Sequence, residues 1–176
     1  MPRSPYGVDK LAAEHYHHVL GAAGGVETVA LRYFNVYGAG QDPASEYAAV
    51  IPRFIAAAIR GEPPTINGSG TISRDFVHVD DVVAANMLAA TVPSIGGLTC
   101  NIASGAPTTL DELVAAVGAA TGIHLEPAYG PSRVGDIAAS WADVSRASEM
   151  LGYTAAVPFE IGIARTVDWF RAQAPA

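Results

Sequence analysis

Hydrophobic and polar residues follow one another along the chain in short blocks that predict helices and strands in alternation. Apolar residues recur at helical spacing over residues 8–23, and two glycines end that segment. Residues 27–34 are mostly apolar, which predicts a strand of a parallel sheet covered on both faces. Residues 35–40 predict a loop at the carboxyl end of that strand.

The remainder of the chain continues this alternation. Helices are predicted over 52–60, from Asp80 as N-cap, after the capping-box spacing of Thr109 and Glu112, from Asp143 to Leu151, and from Pro158 onward. Short strands are predicted over 64–66, 73–79 and 98–102, with a hairpin turn at residues 67–70. Roughly six helices and five strands in this order predict an α/β fold.

Composition narrows the class of protein. The chain has 176 residues, of which 50% are hydrophobic and 15% charged, so it can bury a core and is not disordered. Its formal net charge of −7 argues against a nucleic-acid partner. Cys100 is the single cysteine, which excludes a disulfide framework and a CxxC zinc site. With no long apolar run and no secretory leader pattern, we expect a cytoplasmic protein with no membrane partner.

Several histidine, cysteine and aromatic residues could suggest a functional site, but the sequence pattern favours a structural role for them. His15, His17 and His18 lack a clean metal-ligand spacing, so they predict a solvated helix face and no metal site. His78 predicts a satisfied strand histidine and Cys100 an inert buried thiol. The aromatic residues predicted for the core are Trp141, Trp169 and Phe170.

The first chemical signal is the pair Tyr6 and Lys10, four residues apart at the start of the first helix. That spacing puts two side chains on the same side of a helix. An ammonium beside a phenol stabilises the phenolate, which would suit Tyr6 to acid/base work near neutral pH. The alternative is a surface tyrosine beside a solvated lysine.

Two further clusters predict a site for an anionic ligand. Asn35 follows an apolar strand, at the edge where parallel sheets bind ligands, although a turn-forming asparagine is the alternative. Arg74 lies in a strand pattern and Arg133 precedes Asp136 by three residues. The arginines could bind a diphosphate and the carboxylate could accept from ribose hydroxyls, or both arginines could form ion pairs within the chain.

Together these segments resemble the extended short-chain dehydrogenase/reductase family. The segments that carry the resemblance, in this order, are Ser4–Lys10, Arg32–Gly38, Val50–Phe54, Arg74–Asp81, Asn101–Gly105 and Arg133–Asp136. They are most similar to the branch of NAD-dependent sugar-nucleotide epimerases and dehydratases, in particular its UDP-glucose 4-epimerase type. The resemblance covers essentially the whole chain.

The resemblance implies a role for each matching residue. Tyr6 would be the catalytic base and Lys10 would hold the nicotinamide ribose of NAD, with Phe34 near the nicotinamide. The substrate, most simply a UDP-sugar, would be bound by Asn35, Val50, Thr65, Asn67, Arg74, Arg133 and Asp136. Of these, Asn35 and the two arginines would meet the phosphates, and Thr65 and Asn67 the uracil.

The resemblance also implies a fold and its division. Residues 1–45 would be a remnant of the Rossmann-type dinucleotide-binding domain, and residues 46–176 mainly the sugar-nucleotide region, so the Rossmann fold would be incomplete. The sequence contains no G-x-G-x-x-G turn to hold the NAD pyrophosphate. Departures from the family pattern are Asp9 where serine is frequent, and Asn67 and Ser140 where aromatic residues are frequent.

Three interpretations therefore stay open. The first is the substrate-binding half of a UDP-glucose/UDP-galactose 4-epimerase-like enzyme, inactive by itself and able to form a homodimer. The second is a non-catalytic truncated product or a subunit-interaction protein. The third is a sibling activity, a sugar-nucleotide 4,6-dehydratase or reductase. The motifs identify neither the sugar nor the base.

Overall fold

The computed structural model describes residue 2 and residues 4–44, 49–132 and 137–173. Six helices lie in these ranges: α1 Pro5–Gly24, α2 Val50–Ile59, α3 Val79–Thr91, α4 Leu110–Thr121, α5 Ser145–Leu151 and α6 Phe159–Gln173. Nine short strands lie there as well: β1 Ala30–Tyr33, β2 Asn35–Tyr37, β3 Thr65–Asn67, β4 Ser73–Arg74, β5 Phe76–His78, β6 Thr99–Ile102, β7 Thr108–Thr109, β8 Ala128–Gly130 and β9 Ala139–Ser140.

Most strand pairs in the described ranges are parallel. The parallel pairs are β1–β6, β2–β5, β3–β8 and β4–β9, and only β4–β7 is antiparallel. Parallel neighbours cannot be joined by tight turns, so helices and long connections separate them in sequence. The predicted α/β class is confirmed.

The structure changes the extent of two predicted strands. Residues 27–34 were expected to be one strand and residues 35–40 a loop, but β1 ends at Tyr33 and β2 continues from Asn35. The chain changes partner at this point, since Phe34 N–H donates to the Ile102 carbonyl and Asn35 N–H donates to the Asp75 carbonyl. In the same way, the strand expected over 73–79 becomes β4 and β5.

The prediction of a hairpin turn at residues 67–70 is wrong. β3 pairs with β8, whereas β4 pairs with β7 and β9, so the turn joins strands of different sheets. Gly70 accepts a hydrogen bond from Asp111 N–H at 3.1 Å, and a side chain at this glycine would collide with the Asp111 carboxylate. Packing against the start of α4 therefore decides the path of this turn.

One predicted helix cap is confirmed, and two predicted N-cap residues are corrected. The capping box of α4 is confirmed: Thr109 Oγ1 accepts from Glu112 N–H at 3.1 Å, and a Glu112 carboxylate oxygen accepts from Thr109 N–H at 2.7 Å. The N-cap of α3 is His78 rather than Asp80, because Nδ1 of His78 accepts from Asp80 N–H at 3.2 Å. Likewise the N-cap of α5 is Val144 rather than Asp143.

The core consists of two hydrophobic clusters. One joins α2, α4 and α6 to residues of β2, β3 and β5, and the other joins α3, α5 and β6. Phe170 is buried as predicted and Trp169 packs at the edge of the first cluster, but Trp141 is 58% exposed and does not belong to the core. No residue of α1 is buried.

Among the described helices, none combines the length and the apolar character that crossing a membrane requires.

Candidate functional site

A cavity of about 430 Å³ opens beside the amino-terminal end of α2 and the strands β2, β3, β4 and β5. Its volume is in the range of small-molecule sites. Apolar side chains form much of its wall, and two asparagine amides and two guanidinium groups are placed among them. Its described lining is Phe34, Asn35, Val36, Tyr37, Ala49, Val50, Ile51, Arg53, Phe54, Thr65, Ile66, Asn67, Ile72, Arg74, Phe76 and Leu110.

Six of the residues expected to bind cofactor or substrate line this one cavity. They are Phe34, Asn35, Val50, Thr65, Asn67 and Arg74. They come from well-separated stretches of the chain, so the tertiary fold brings them together. Arg133 and Asp136 lie outside the described residues, and their substrate-binding roles stay predictions.

The change of strand partner shapes the wall at Phe34 and Asn35. Both backbone N–H groups are engaged, with N···O distances of 3.0 Å to Ile102 and 3.1 Å to Asp75. Asn35 is the first residue of β2 rather than a turn residue, and its side chain is exposed at the cavity. Its amide therefore offers both a donor and an acceptor to a ligand.

Arg74 supplies positive charge to the cavity from β4. Its Nη1 donates to two backbone carbonyls, Ser73 O at 2.8 Å and Ile137 O at 2.7 Å. Asp75 does not pair with it, because that carboxylate accepts four other hydrogen bonds. Two carbonyls orient the guanidinium without neutralising it, which leaves its charge for an anion.

The wall at Asn67 depends on a glycine across the sheet. β3 and β8 pair with Asn67 opposite Gly130. A side chain at Gly130 would approach Asn67 Oδ1 to 3.0 Å. The glycine thus leaves room for the amide, which provides hydrogen bonding where an aromatic ring would provide stacking.

Two prominent wall residues carried no expected role. Arg53 brings a second guanidinium from the first turn of α2 and is exposed. Its signal was the one charged residue in an otherwise apolar run. Tyr37 was expected in a loop, but it is buried in β2, where its hydroxyl donates to the Phe159 carbonyl at 3.3 Å. Burial raises the pKa of Tyr37 well above its usual range, and the Asp81 and Glu160 charges add to this, so the phenol stays protonated.

Tyr6 and Lys10 are not part of the described cavity wall. Both are exposed on α1, and Lys10 Nζ lies 5.2 Å from the centroid of the Tyr6 ring. The two side chains do share one side of the helix, as their spacing predicts. A phenol and an ammonium placed in this way can reach a common ligand at the surface of α1.

Polar contacts hold α1 against the sheet. The Arg32 guanidinium donates to both carboxylate oxygens of Glu14, at 2.7 Å and 2.6 Å. This hydrogen bonding lowers the pKa of Glu14 below its ordinary value. Thr28 Oγ1 donates to the His17 carbonyl at 2.8 Å, which adds a second attachment.

The remaining titratable candidates have structural surroundings. His78 is buried at the start of α3, as a satisfied histidine. His18 is not simply solvated, because its Nε2 lies 3.0 Å from Thr99 Oγ1. Burial raises the pKa of the Cys100 thiol, which keeps it unreactive. Within the described ranges, no three His, Cys, Asp or Glu side chains are grouped so that they could hold a metal ion.

Comparison of the sequence with known proteins shows which family the chain resembles. Residues 1–103 match the model of the NAD dependent epimerase/dehydratase family. The chain is 39% identical over 170 residues to a UDP-glucose 4-epimerase of Mycolicibacterium smegmatis, which covers 97% of this chain and 54% of that protein.

Solved structures show the same likeness. A UDP-glucose 4-epimerase of Thermotoga maritima with UDP-glucose has 40% identity and a TM-score of 0.92, covering 98% of this chain and 55% of the other. A UDP-glucose 4-epimerase of Thermus thermophilus in complex with NAD has 36% identity and a TM-score of 0.86, covering 99% and 56%. The chain therefore spans about half the length of the relatives it matches.

The family match extends over more than half of the chain, the fold agrees closely with solved epimerases, and six of the expected site residues line one cavity. The chain belongs to the NAD-dependent epimerase/dehydratase family.

Proposed function

We propose that this chain carries the nucleotide-sugar site and the Tyr/Lys pair of a NAD-dependent 4-epimerase, with a UDP-hexose as substrate. The observation that carries the proposal is the cavity in which Asn35, Thr65, Asn67 and Arg74 meet. The cavity suits an anionic, hydroxyl-rich ligand, because amides and a guanidinium are placed among apolar walls. The solved relative that contains UDP-glucose supports the same class of ligand.

Within this proposal, the cavity residues bind and orient the substrate. Arg74 would neutralise a phosphate, and Asn35 would hydrogen-bond the diphosphate. Thr65 and Asn67 would face the base, with Val50 beside them in the wall. Arg133 and Asp136 would complete the phosphate and ribose contacts. Binding at these positions would fix the hexose relative to the reacting groups.

A second group of residues would handle the proton and the cofactor. Tyr6 would accept the proton of the sugar 4-hydroxyl, and Lys10 would hold a ribose hydroxyl of NAD, with Phe34 beside the nicotinamide. NAD, when bound, supplies the hydride acceptor that such a reaction requires. The exposed phenol and ammonium of α1 suit this donor set, since neither is engaged in the core.

Calorimetric titration with UDP and with uridine tests the cavity. We expect the folded chain to bind UDP, and Arg74→Ala to weaken UDP binding by about 10- to 100-fold, the size of a charged hydrogen bond. Uridine binding should be unchanged by that substitution. Arg165→Ala removes the same charge at an exposed position that pairs with Asp80, and it should leave both affinities unchanged.

A folded sample that shows no UDP binding at millimolar ligand would contradict the proposal. Equal losses for UDP and uridine in Arg74→Ala would contradict the phosphate role of that residue. A cytoplasmic location, expected from the sequence composition, and homodimer formation, implied by the resemblance, are further predictions, and sedimentation analysis checks the second.

A further inference from the structure

Asp75 is fully buried, with 0% exposure, and has no part in the proposed binding of substrate. It lies between Arg74 of β4 and Phe76 of β5. A buried carboxylate is costly unless hydrogen bonds satisfy it, so its position between two residues of the cavity wall requires an explanation.

The Asp75 carboxylate accepts hydrogen bonds from two other segments of the chain. Oδ1 accepts from Ser104 N–H at 2.8 Å and from Ser104 Oγ at 2.7 Å. Oδ2 accepts from Gly105 N–H at 3.0 Å and from Ala142 N–H at 3.1 Å. One carboxylate thus fastens the turn after β6 and the segment after β9 to the junction of β4 and β5.

The segment fastened at Ala142 also orients Arg74. β9 pairs with β4, with Ser140 opposite Arg74. Just before β9, the carbonyl of Ile137 accepts from Arg74 Nη1 at 2.7 Å. Beside Ile137, the Ala138 carbonyl accepts from Ser73 N–H at 3.0 Å. β9 has only two residues, so its own ladder is short, and the hydrogen bond at Ala142 is a further attachment of this segment.

We infer that Asp75 is a positioning residue that holds the Arg74 guanidinium in the orientation that binds the diphosphate. This inference rests on the proposed function for its ligand. Asp75 acts through the segment 137–142 and does not touch the substrate. In Asp75→Asn one carboxylate oxygen becomes an amide NH₂ that cannot accept a hydrogen bond, so the backbone N–H donors on that side of the group lose their acceptor.

Two measurements on the full chain test the inference. First, UDP binding by Asp75→Asn should fall about tenfold, corresponding to loss of one well-oriented charged hydrogen bond, while uridine binding is unchanged. In an Arg74→Ala background, adding Asp75→Asn should cause no further loss of UDP affinity. Second, NMR of ligand-free chain labelled with ¹⁵N-arginine should show restricted Nη protons for Arg74, and averaged ones in Asp75→Asn.

Asp81→Asn is the matched control. Asp81 is also buried, at 3% exposure, and its carboxylate accepts from Ala156 N–H at 2.8 Å and Val157 N–H at 3.3 Å. The same chemical change there should lower stability but leave the Arg74 signals and the UDP affinity unchanged.

Equal weakening of UDP and uridine by Asp75→Asn, or restricted Arg74 protons that survive the substitution, would overturn the inference. Absence of UDP binding by the wild-type chain would instead contradict the proposed function. The NMR comparison would then still decide the positioning role, because it needs no ligand.

Discussion

Gly162 of α6 lies directly against Tyr37, a buried residue of the cavity wall. A methyl group at this position would collide with the Tyr37 hydroxyl and approach Tyr37 Cζ to 2.9 Å and His78 Cδ2 to 3.1 Å. Tyr37 cannot easily move away, because its ring packs edge-on against Phe76 and its hydroxyl donates to the Phe159 carbonyl. We therefore expect Gly162→Ala to destabilise the protein, although alanine is the better helix former.

The magnitude follows from opposing contributions. Overpacking a filled core costs about 1–3 kcal/mol, and a lost Tyr37 hydrogen bond costs about 1 kcal/mol. Replacing glycine by alanine within a helix returns about 1 kcal/mol. The free energy of unfolding should thus fall by about 1–3 kcal/mol.

Urea denaturation followed by far-UV circular dichroism measures this difference, with the slope checked for two-state behaviour. Gly24→Ala is the control, since nothing lies within 4 Å of a methyl group at that helical glycine, and it should be neutral or slightly stabilising. Tyr37→Phe should partly rescue Gly162→Ala by removing the colliding oxygen. A Gly162→Ala protein as stable as the wild type, with an unchanged slope, would refute the packing argument.

Three further predictions concern other parts of the chain. Glu14→Gln should lower the free energy of unfolding by about 0.5 kcal/mol at pH 7, the usual size for a partly exposed ion pair. Because Arg32 lowers the pKa of Glu14 below 4.5 in the folded state, that difference should be complete above pH 4.5 and disappear as the pH falls through the lower folded value; a pH-independent difference would contradict it. Thr109→Ala should lower the free energy of unfolding by about 1 kcal/mol, because it removes the N-cap side chain of α4. Thermal melting measures this loss, with Thr108→Ala as the control. An equal loss in both variants would show that the cap is unimportant. The 176-residue chain, which has no G-x-G-x-x-G turn, should not convert UDP-galactose, and turnover by purified protein in a coupled assay with NAD would show this expectation to be wrong.

Local features of the structure were accessible from the sequence. The Thr109 and Glu112 capping box follows from side-chain chemistry within one turn, so it needs no knowledge of the rest of the molecule. The same holds for the extent of α1, whose start at Pro5 and end before Gly25 differ only slightly from the predicted range.

Features that depend on distant partners were not accessible. The strand break at Phe34 arises because the chain leaves β6 for β5, and neither strand is recognisable as a partner from residues 27–40. Trp141 is a residue type typical of a core, but it is 58% exposed. The hydrogen bond from the neighbouring Ala142 N–H to the Asp75 carboxylate helps to set its position, and the sequence does not reveal that contact.

The candidate site divides in the same way. The places of Arg74 and Asn35 in the cavity wall agree with the sequence prediction, because the sequence places both beside apolar strand segments, and the strand ends of parallel sheets bind ligands. Their binding roles stay predictions. The wall contribution of Arg53 could not be predicted, since it depends on how the first turn of α2 faces β3 and β4 in the folded protein.

The polar attachment of α1 has a consequence for its dynamics. Without a buried side chain, the helix can separate from the sheet at the cost of a few hydrogen bonds and one ion pair, while both hydrophobic clusters stay intact. Its amide hydrogens should therefore exchange with solvent through a sub-global opening far below the free energy of complete unfolding, and more readily at high salt. Tyr6 and Lys10 would then lie on the least protected of the six described helices, and any ligand that bridges α1 to the sheet would slow that exchange.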